Sequence, residues 1–121
     1  ICIVQRKKYT EFIFTEVQMS EFNSLTASEI GDLIGKGEID PVELTEYFIS
    51  KIDLSPIGKK IYSTVTSQLA LEQAKGSKLR AKLGRRLSSL DGVPISWKDL
   101  FDITGYPCEA GSDLLGGRLA N

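Results

Sequence analysis

Two helix-start signals follow one another in the first half of the chain. They predict that helices precede any strand along the sequence. Thr26 and Glu29 form a capping box, in which a hydroxyl and a carboxylate satisfy N–H groups at the helix start. Asp40 and Pro41 form the second start, because aspartate caps free N–H groups and proline fits the first helical position. Glu43 completes a second capping box. We therefore predict two consecutive helices.

The ends of these helices are also marked in the sequence. Two glycines within residues 35–37 end the short first helix, and Pro56 with Gly58 ends the second. The second helix has apolar residues at a spacing of four, which predicts one buried face made of Leu44, Phe48 and Ile52.

The rest of the chain alternates between strand and helix patterns. Residues 60–66 are β-branched and aromatic, which predicts a strand, and residues 92–99 carry a second strand pattern. Between them, residues 67–83 predict a helix with a stripe of small residues that allows close packing: Ala70, Ala74, Ser77 and Ala81. The order is that of an α/β domain with too few strands to complete a sheet.

Composition excludes several kinds of chemistry. The 121 residues contain no histidine, so no Ser-His-Asp triad and no His-ligated metal can form within them. Cys2 and Cys108 are far apart and cannot make a four-ligand metal site, so we predict neither a metal nor a cofactor. Sparse cysteines and the lack of a secretory signal favour a cytoplasmic location.

Two further patterns have ordinary explanations. A basic run is free of acids between Glu72 and Asp91, but with a net charge of −1 we favour a solvated helix face over a nucleic-acid surface; its members are Lys75, Lys78, Arg80, Lys82, Arg85 and Arg86. The glycines from Gly111 to Gly117 have the spacing of a phosphate-binding loop but lack its Lys and its Ser or Thr. We interpret that spacing as a chance match.

The chain begins at Ile1, whereas its single methionine, Met19, stands just ahead of the first helix signal. We expect translation to start at Met19, which divides the chain into an upstream or non-native extension, residues 1–18, and an N-terminal domain part, residues 19–121. The alternative is a genuine N-terminal strand through residues 12–14. No stretch has the apolar length of a membrane span, so we predict no membrane partner.

Lys98 is the strongest candidate for catalysis on residue type. It follows the predicted strand of residues 92–99, and functional side chains in α/β sheets commonly lie at strand ends. A lysine free in water has a pKa of about 10.4, so a lysine that acts as a base near neutral pH must be desolvated. Val93, Ile95 and Leu100 could provide apolar surroundings. On residue type alone, a lysine at a strand end next to Asp99 is more often a structural ion pair or an exposed end than a catalytic base.

The segment around Lys98 resembles the lysine motif of the amidase signature family: Gly92-Val93-Pro94-Ile95-x-x-Lys98-Asp99. Weaker matches occur in the same order as in that family, at residues 25–30, 37–45, 64–66 and 110–112. The resemblance implies a mixed β-sheet flanked by helices, of which this chain holds an N-terminal fragment of roughly the first quarter. Cys108 and Glu109 depart from the threonines that many members carry there.

The resemblance also implies a reaction. Members of the family hydrolyse a carboxylic amide with a Ser-Ser-Lys triad, in which the lysine of this motif is the base for a bridging serine and the second serine forms an acyl-enzyme. Carried over, the lysine is Lys98. Both serines belong to a Gly/Ser-rich signature that the 121 residues do not contain, and Ser88 and Ser89 lack its glycines. We therefore expect the chain alone to be inactive.

Three functions remain open. The first is an amidase acting on a small-molecule amide, possible as a homo-oligomer and without a nucleic-acid partner; Trp97 and Phe101 beside Lys98 favour it. The second is the A subunit of a glutamyl-tRNA amidotransferase, which would release ammonia from glutamine and work with protein partners and charged tRNA. The third is a truncated, non-catalytic interaction module.

Overall fold

A computed structural model describes residues 22–120 of the chain. Four α-helices follow each other, and a 3-10 turn lies near each end, at Phe22–Ser24 and Asp113–Leu115. The helices are α1 (Ala27–Lys36), α2 (Pro41–Leu54), α3 (Gly58–Ile61) and α4 (Ser67–Lys82). The predicted extension, residues 1–18, and the start at Met19 lie outside the described residues.

Helix α1 begins and ends as the sequence predicts. The Thr26 hydroxyl accepts a hydrogen bond from the Glu29 N–H at 3.3 Å, and the Glu29 carboxylate accepts one from the Thr26 N–H at 2.7 Å. The Thr26 bonds lower the pKa of the Glu29 carboxyl. At the other end Gly37 has a φ of 76°, a left-handed conformation that suits glycine. The capping box predicted at Thr26 and Glu29 is thus confirmed, whereas at the next helix start Asp40 caps the Val42 N–H and no capping box with Glu43 forms.

Helix α2 begins at Pro41, and its cap also binds another helix. The Asp40 carboxylate accepts a hydrogen bond from the Val42 N–H at 2.9 Å and forms an ion pair with the Lys78 ammonium of α4. Partial burial acts to raise the pKa of Asp40, but Lys78 and the N–H groups of Val42 and Glu43 lower it. One carboxylate therefore both starts α2 and links it to α4.

The small-residue stripe of α4 packs as predicted. Ala74 and Ser77 are each only 5% exposed, and α4 packs against α2, where Leu44 is fully buried. Phe48 and Ile52 of the predicted apolar face are half-buried. The core is a cluster from α1, α2 and the connection between them, Ile30, Ile34, Ile39 and Leu44, against which residues such as Val93 pack.

The two predicted strands are not found. Residues 58–61, which include the start of the first predicted strand, form helix α3, and residues 92–99 form neither helix nor strand. Within residues 22–120 the sole β-pairing is an isolated antiparallel bridge between Pro107 and Leu119. A helix completes its hydrogen bonds locally, whereas a strand needs a partner, and no segment of residues 22–120 supplies one to either run. The mixed sheet is not confirmed.

A buried carboxylate holds the loop after α4 in place. Asp91 is 9% exposed and accepts hydrogen bonds from the Arg80 Nε at 2.7 Å, from the Ser77 hydroxyl at 2.8 Å and from the Leu87 N–H at 3.0 Å. Arg80 also contacts it through its Nη2. These bonds lower the pKa of Asp91, the Arg80 guanidinium most, and they fold residues 84–91 back onto α4.

None of the helices in residues 22–120 is both long enough and apolar enough to cross a membrane.

We expect Gly31→Ala to destabilise the chain, because a Cβ at Gly31 would lie 2.2 Å from the Ser89 carbonyl oxygen. Alanine adds up to about 1 kcal/mol of helix propensity, but displacing a packed backbone costs about 1–3 kcal/mol. Urea unfolding measures the difference. Ser28→Ala, on the exposed face of the same helix, is the matched control and should stay within about 0.5 kcal/mol of the native chain. An equally stable or more stable Gly31→Ala chain would contradict the close approach.

We expect Asp91→Asn to lower the free energy of unfolding at neutral pH by about 2–4 kcal/mol and to flatten its dependence on acid pH. The pKa of Asp91 is lower in the folded state than in the unfolded state. Its contribution is therefore complete above the ordinary aspartate pKa of about 3.9 and is lost as the pH falls below that value. Urea unfolding between pH 7 and pH 3 measures both effects. An unchanged slope below pH 5 would contradict the assignment.

Candidate functional site

The segment that ends at Lys98 starts from a rigid point. Gly92 has a φ of 100°, and a Cβ there would lie 3.1 Å from the Cγ of Pro41 at the start of α2. The Val93 N–H donates to the Leu90 carbonyl at 3.0 Å, and Val93 packs against the core. Asp91, just before this point, is bonded to α4. The amino end of the lysine motif is thus held against α2 and α4 together.

Lys98 opens a tight turn at the other end of the motif. Its carbonyl accepts hydrogen bonds from the Leu100 N–H at 2.7 Å and from the Phe101 N–H at 3.2 Å. Its side chain is exposed, and no carboxylate among residues 22–120 lies within ion-pair distance of its ammonium group. The ion pair with Asp99, left open by the sequence, is therefore not formed in the described part of the chain.

The apolar neighbours expected around Lys98 do not enclose it. Ile95 is 66% exposed and Leu100 is 62% exposed, while Val93 packs into the core instead. Trp97 and Phe101 are also exposed and contact each other edge to face, with ring centroids 5.3 Å apart. Residues 22–120 thus place an exposed lysine on an exposed apolar surface and do not by themselves supply the desolvation that a lysine base needs.

An apolar groove of about 470 Å³ runs beside this segment. It lies between α2, the start of α4 and residues 94–97, and Phe48, Ala70, Ile95 and Trp97 contribute to its walls. Lys98 is not part of its lining. The groove therefore borders the lysine motif but brings no second reactive group to Lys98.

Asp99 connects the lysine turn to a later turn of the chain. Its Oδ1 accepts a hydrogen bond from the Glu109 N–H at 3.2 Å. Glu109 opens a turn closed by the Ser112 N–H, which donates to the Glu109 carbonyl at 2.9 Å. The two central residues have left-handed backbones, with φ of 51° at Ala110 and 69° at Gly111. Sequence reasoning did not assign Asp99 any role beyond pairing with Lys98.

Cys108 lies in a cluster that makes it a poor nucleophile. It is 3% exposed, and burial, together with the neighbouring Asp102 carboxylate, raises the pKa of its thiol. Asp102 is in turn paired with Arg118 through two hydrogen bonds, at 2.9 and 2.7 Å. A thiol with a raised pKa holds less of the nucleophilic thiolate, so Cys108 is a poor nucleophile.

Half of the basic run has structural partners. Lys78 pairs with Asp40, Arg80 binds Asp91, and the Arg86 Nη2 donates to the carbonyls of Ser89 and Asp91. The remaining members are exposed: Lys75, Lys82 and Arg85. Half of the run is therefore the counter-charge of α2 and of the loop after α4, and the solvated face predicted for the whole run holds for the other half. Asp91 is the first acidic residue after the run, and this position was the sequence signal for its pairing with Arg80.

The glycine-spaced segment from Gly111 has no strand-loop-helix structure. Its central residues form the short 3-10 turn Asp113–Leu115, capped by the Ser112 hydroxyl, which supports a chance match to a phosphate loop. Among residues 22–120 there is also no group of three or more acidic or cysteine residues placed to hold a metal ion.

Comparison with known proteins gives a consistent result. The profile of the family described as Amidase matches residues 43–121. The A subunit of the glutamyl-tRNA(Gln) amidotransferase from Chloroflexus aggregans is 35% identical over 99 residues, and its counterpart from Rhizobium johnstonii is 39% identical over 99 residues. Each alignment covers 82% of this chain and 20% of the relative. The mitochondrial counterpart from Ornithorhynchus anatinus is 37% identical over 93 residues, covering 77% of this chain and 18% of the relative.

The chain thus spans about a fifth of the length of these curated relatives. No solved structure is significantly similar to it. The matched residues include the whole lysine motif and both turns that flank it, so the resemblance carried by that motif and the family match concern the same part of the molecule. The chain belongs to the amidase family.

Proposed function

We propose that the whole protein carrying this segment cleaves a carboxylic amide, with Lys98 as the base of a Ser-Ser-Lys triad. The observation that carries the proposal is the placement of Lys98 inside the family match, at the end of a segment anchored by Gly92 and Asp99. A serine hydroxyl is a weak nucleophile until a neighbouring base takes its proton, and a desolvated lysine can take the place of histidine.

Within that proposal, the A subunit of a glutamyl-tRNA amidotransferase is the form we favour. The relatives described above carry that name, with 35–39% identity along most of this chain. Such a protein would release ammonia from glutamine and would work with protein partners and charged tRNA. The surface of Ile95, Trp97, Leu100 and Phe101 around Lys98 is apolar and exposed, so further parts of the protein would have to cover it and desolvate the lysine.

A second candidate is an amidase for small amides that acts without tRNA. The exposed aromatic pair of Trp97 and Phe101 favours it, because aromatic side chains beside a base suit an apolar acyl or amine group. For either candidate we propose a cytoplasmic location and no cofactor. The third interpretation, an interaction module without catalysis, corresponds to a whole protein that lacks amide hydrolysis altogether.

We expect Lys98→Ala in the whole gene product to lower kcat for amide hydrolysis by at least about a thousandfold with KM little changed. Ammonia release from glutamine, and from a panel of small amides, measures the activity. The matched control is Lys75→Ala, at an exposed lysine of α4, which should retain full activity. The 121-residue chain alone should release no ammonia.

The outcomes separate the candidates. Ammonia release from glutamine that depends on co-purifying partner proteins supports the amidotransferase, and turnover of small amides by the single chain supports the general amidase. Native activity in Lys98→Ala would remove Lys98 from the mechanism, and a whole protein inactive towards every amide would favour the interaction module.

A further inference from the structure

We propose that Asp99 is a positioning residue for Lys98, which it holds in place by tying the lysine turn to the turn at Ala110 and Gly111. This inference rests on the proposed function, since it assigns Asp99 a task only if Lys98 is the base. It concerns the hydrogen bond that joins the Asp99 Oδ1 to the Glu109 N–H at 3.2 Å.

The backbone that joins Lys98 to Asp99 is stiff. The Lys98 carbonyl accepts hydrogen bonds from the N–H groups of both Leu100 and Phe101, which closes the chain tightly around Asp99. Asp99 is the central residue that these bonds enclose, and it is half-buried, whereas Lys98 is exposed. Anchoring the Asp99 side chain therefore restrains the backbone turn that carries Lys98.

The turn that Asp99 binds, at residues 109–112, belongs to a rigid hairpin. The hairpin that contains Glu109 is closed by backbone hydrogen bonds of Gly105 and Tyr106 to Ala120 and by the Pro107–Leu119 bridge. The tether from Asp99 thus ends on a body with its own cross-links, not on a free loop. A tether positions a group only when its far end is fixed.

The turn at residues 109–112 is also strained. Ala110 has a φ of 51°, a left-handed conformation that costs a non-glycine residue of order 1 kcal/mol, and it is the one non-glycine residue of positive φ among residues 22–120. Such a conformation persists only where neighbouring contacts maintain it. Two hydrogen bonds hold the residue before Ala110. The Ser112 N–H donates to the Glu109 carbonyl, and the Glu109 N–H donates to the Asp99 carboxylate.

Within residues 22–120 no ion pair holds the side chain of Lys98. Its neighbours Trp97 and Phe101 are exposed and contact each other. A base must be held within about 0.5 Å of its productive position, and a 1 Å displacement can cost about a hundredfold in rate. Among residues 22–120, the bond from Asp99 to Glu109 is the one that ties the Lys98 turn to the hairpin of residues 105–120.

The test compares variants of Asp99 in the whole gene product, using the hydrolysis assay above. Asp99→Ala removes the acceptor, and we expect kcat per folded molecule to fall by at least about tenfold while KM stays within about twofold. Asp99→Asn keeps an oxygen that can accept from the Glu109 N–H, so we expect it to restore kcat to within about threefold of the native value. Circular dichroism gives the folded fraction. If Asp99→Ala does not fold, Asp99→Ser, whose hydroxyl is shorter, replaces it with the same expected loss.

Asp102→Ala is the matched control. It breaks the ion pair with Arg118 in the same hairpin but leaves the Asp99–Glu109 bond in place, so it should lower stability without lowering kcat per folded molecule. An equal loss of kcat in Asp102→Ala would overturn the proposal, because it would show general loosening of the hairpin. Native kcat in Asp99→Ala, or the same loss in Asp99→Asn as in Asp99→Ala, would also overturn it.

The Lys98→Ala variant, measured in parallel, distinguishes the two levels of inference. If it is inactive and Asp99→Ala retains native kcat, only the positioning role of Asp99 fails. If Lys98→Ala is fully active, the proposed function fails and the role of Asp99 fails with it.

Discussion

The carboxylate of Asp91 is the contact on which the rest of this structure depends. It is nearly buried, and it takes hydrogen bonds from two side chains of α4 and from the backbone of Leu87. An unpaired buried charge would be costly, so the guanidinium of Arg80 and the loop must both stay in place around it. Gly92 follows immediately, with a φ of 100° that favours glycine, and a Cβ there would lie 3.1 Å from the Cγ of Pro41. One ionic group thus determines how the chain leaves α4 and where the lysine motif begins.

The lysine motif lies between two carboxylates that use the same chemistry. Asp91 before it accepts the Leu87 N–H, and Asp99 at its end accepts the Glu109 N–H. Asp91 is also bonded to Arg80 of α4, and Asp99 reaches the later turn at Glu109, so the motif is fixed at both ends without a sheet. Between these ends Ile95 and Trp97 are exposed. A surface of this kind, on a chain that spans about a fifth of its relatives, is where we expect the remainder of an amidase to pack.

Local features could be read from the residues alone. The cap at Thr26 and Glu29, the proline start of α2 and the small-residue face of α4 depend on groups within a few positions of one another, and the structure confirms them. The strand patterns at residues 60–66 and 92–99 depend on a distant partner, which residues 22–120 do not contain. The first of these runs begins within the short helix α3 instead.

The sequence by itself determined the three longer helices, the family and the lysine at the centre of the proposed site, because capping, periodicity and motif order can be read from the residues without a fold. Only the tertiary structure decided which hydrogen-bond donor each of these carboxylates binds. The long-range bonds of Asp91 to Arg80, of Asp99 to Glu109 and of Asp102 to Arg118 span ten to sixteen positions. Such pairings follow from how the loops fold back, since a carboxylate binds whichever donor the packing brings within about 3 Å.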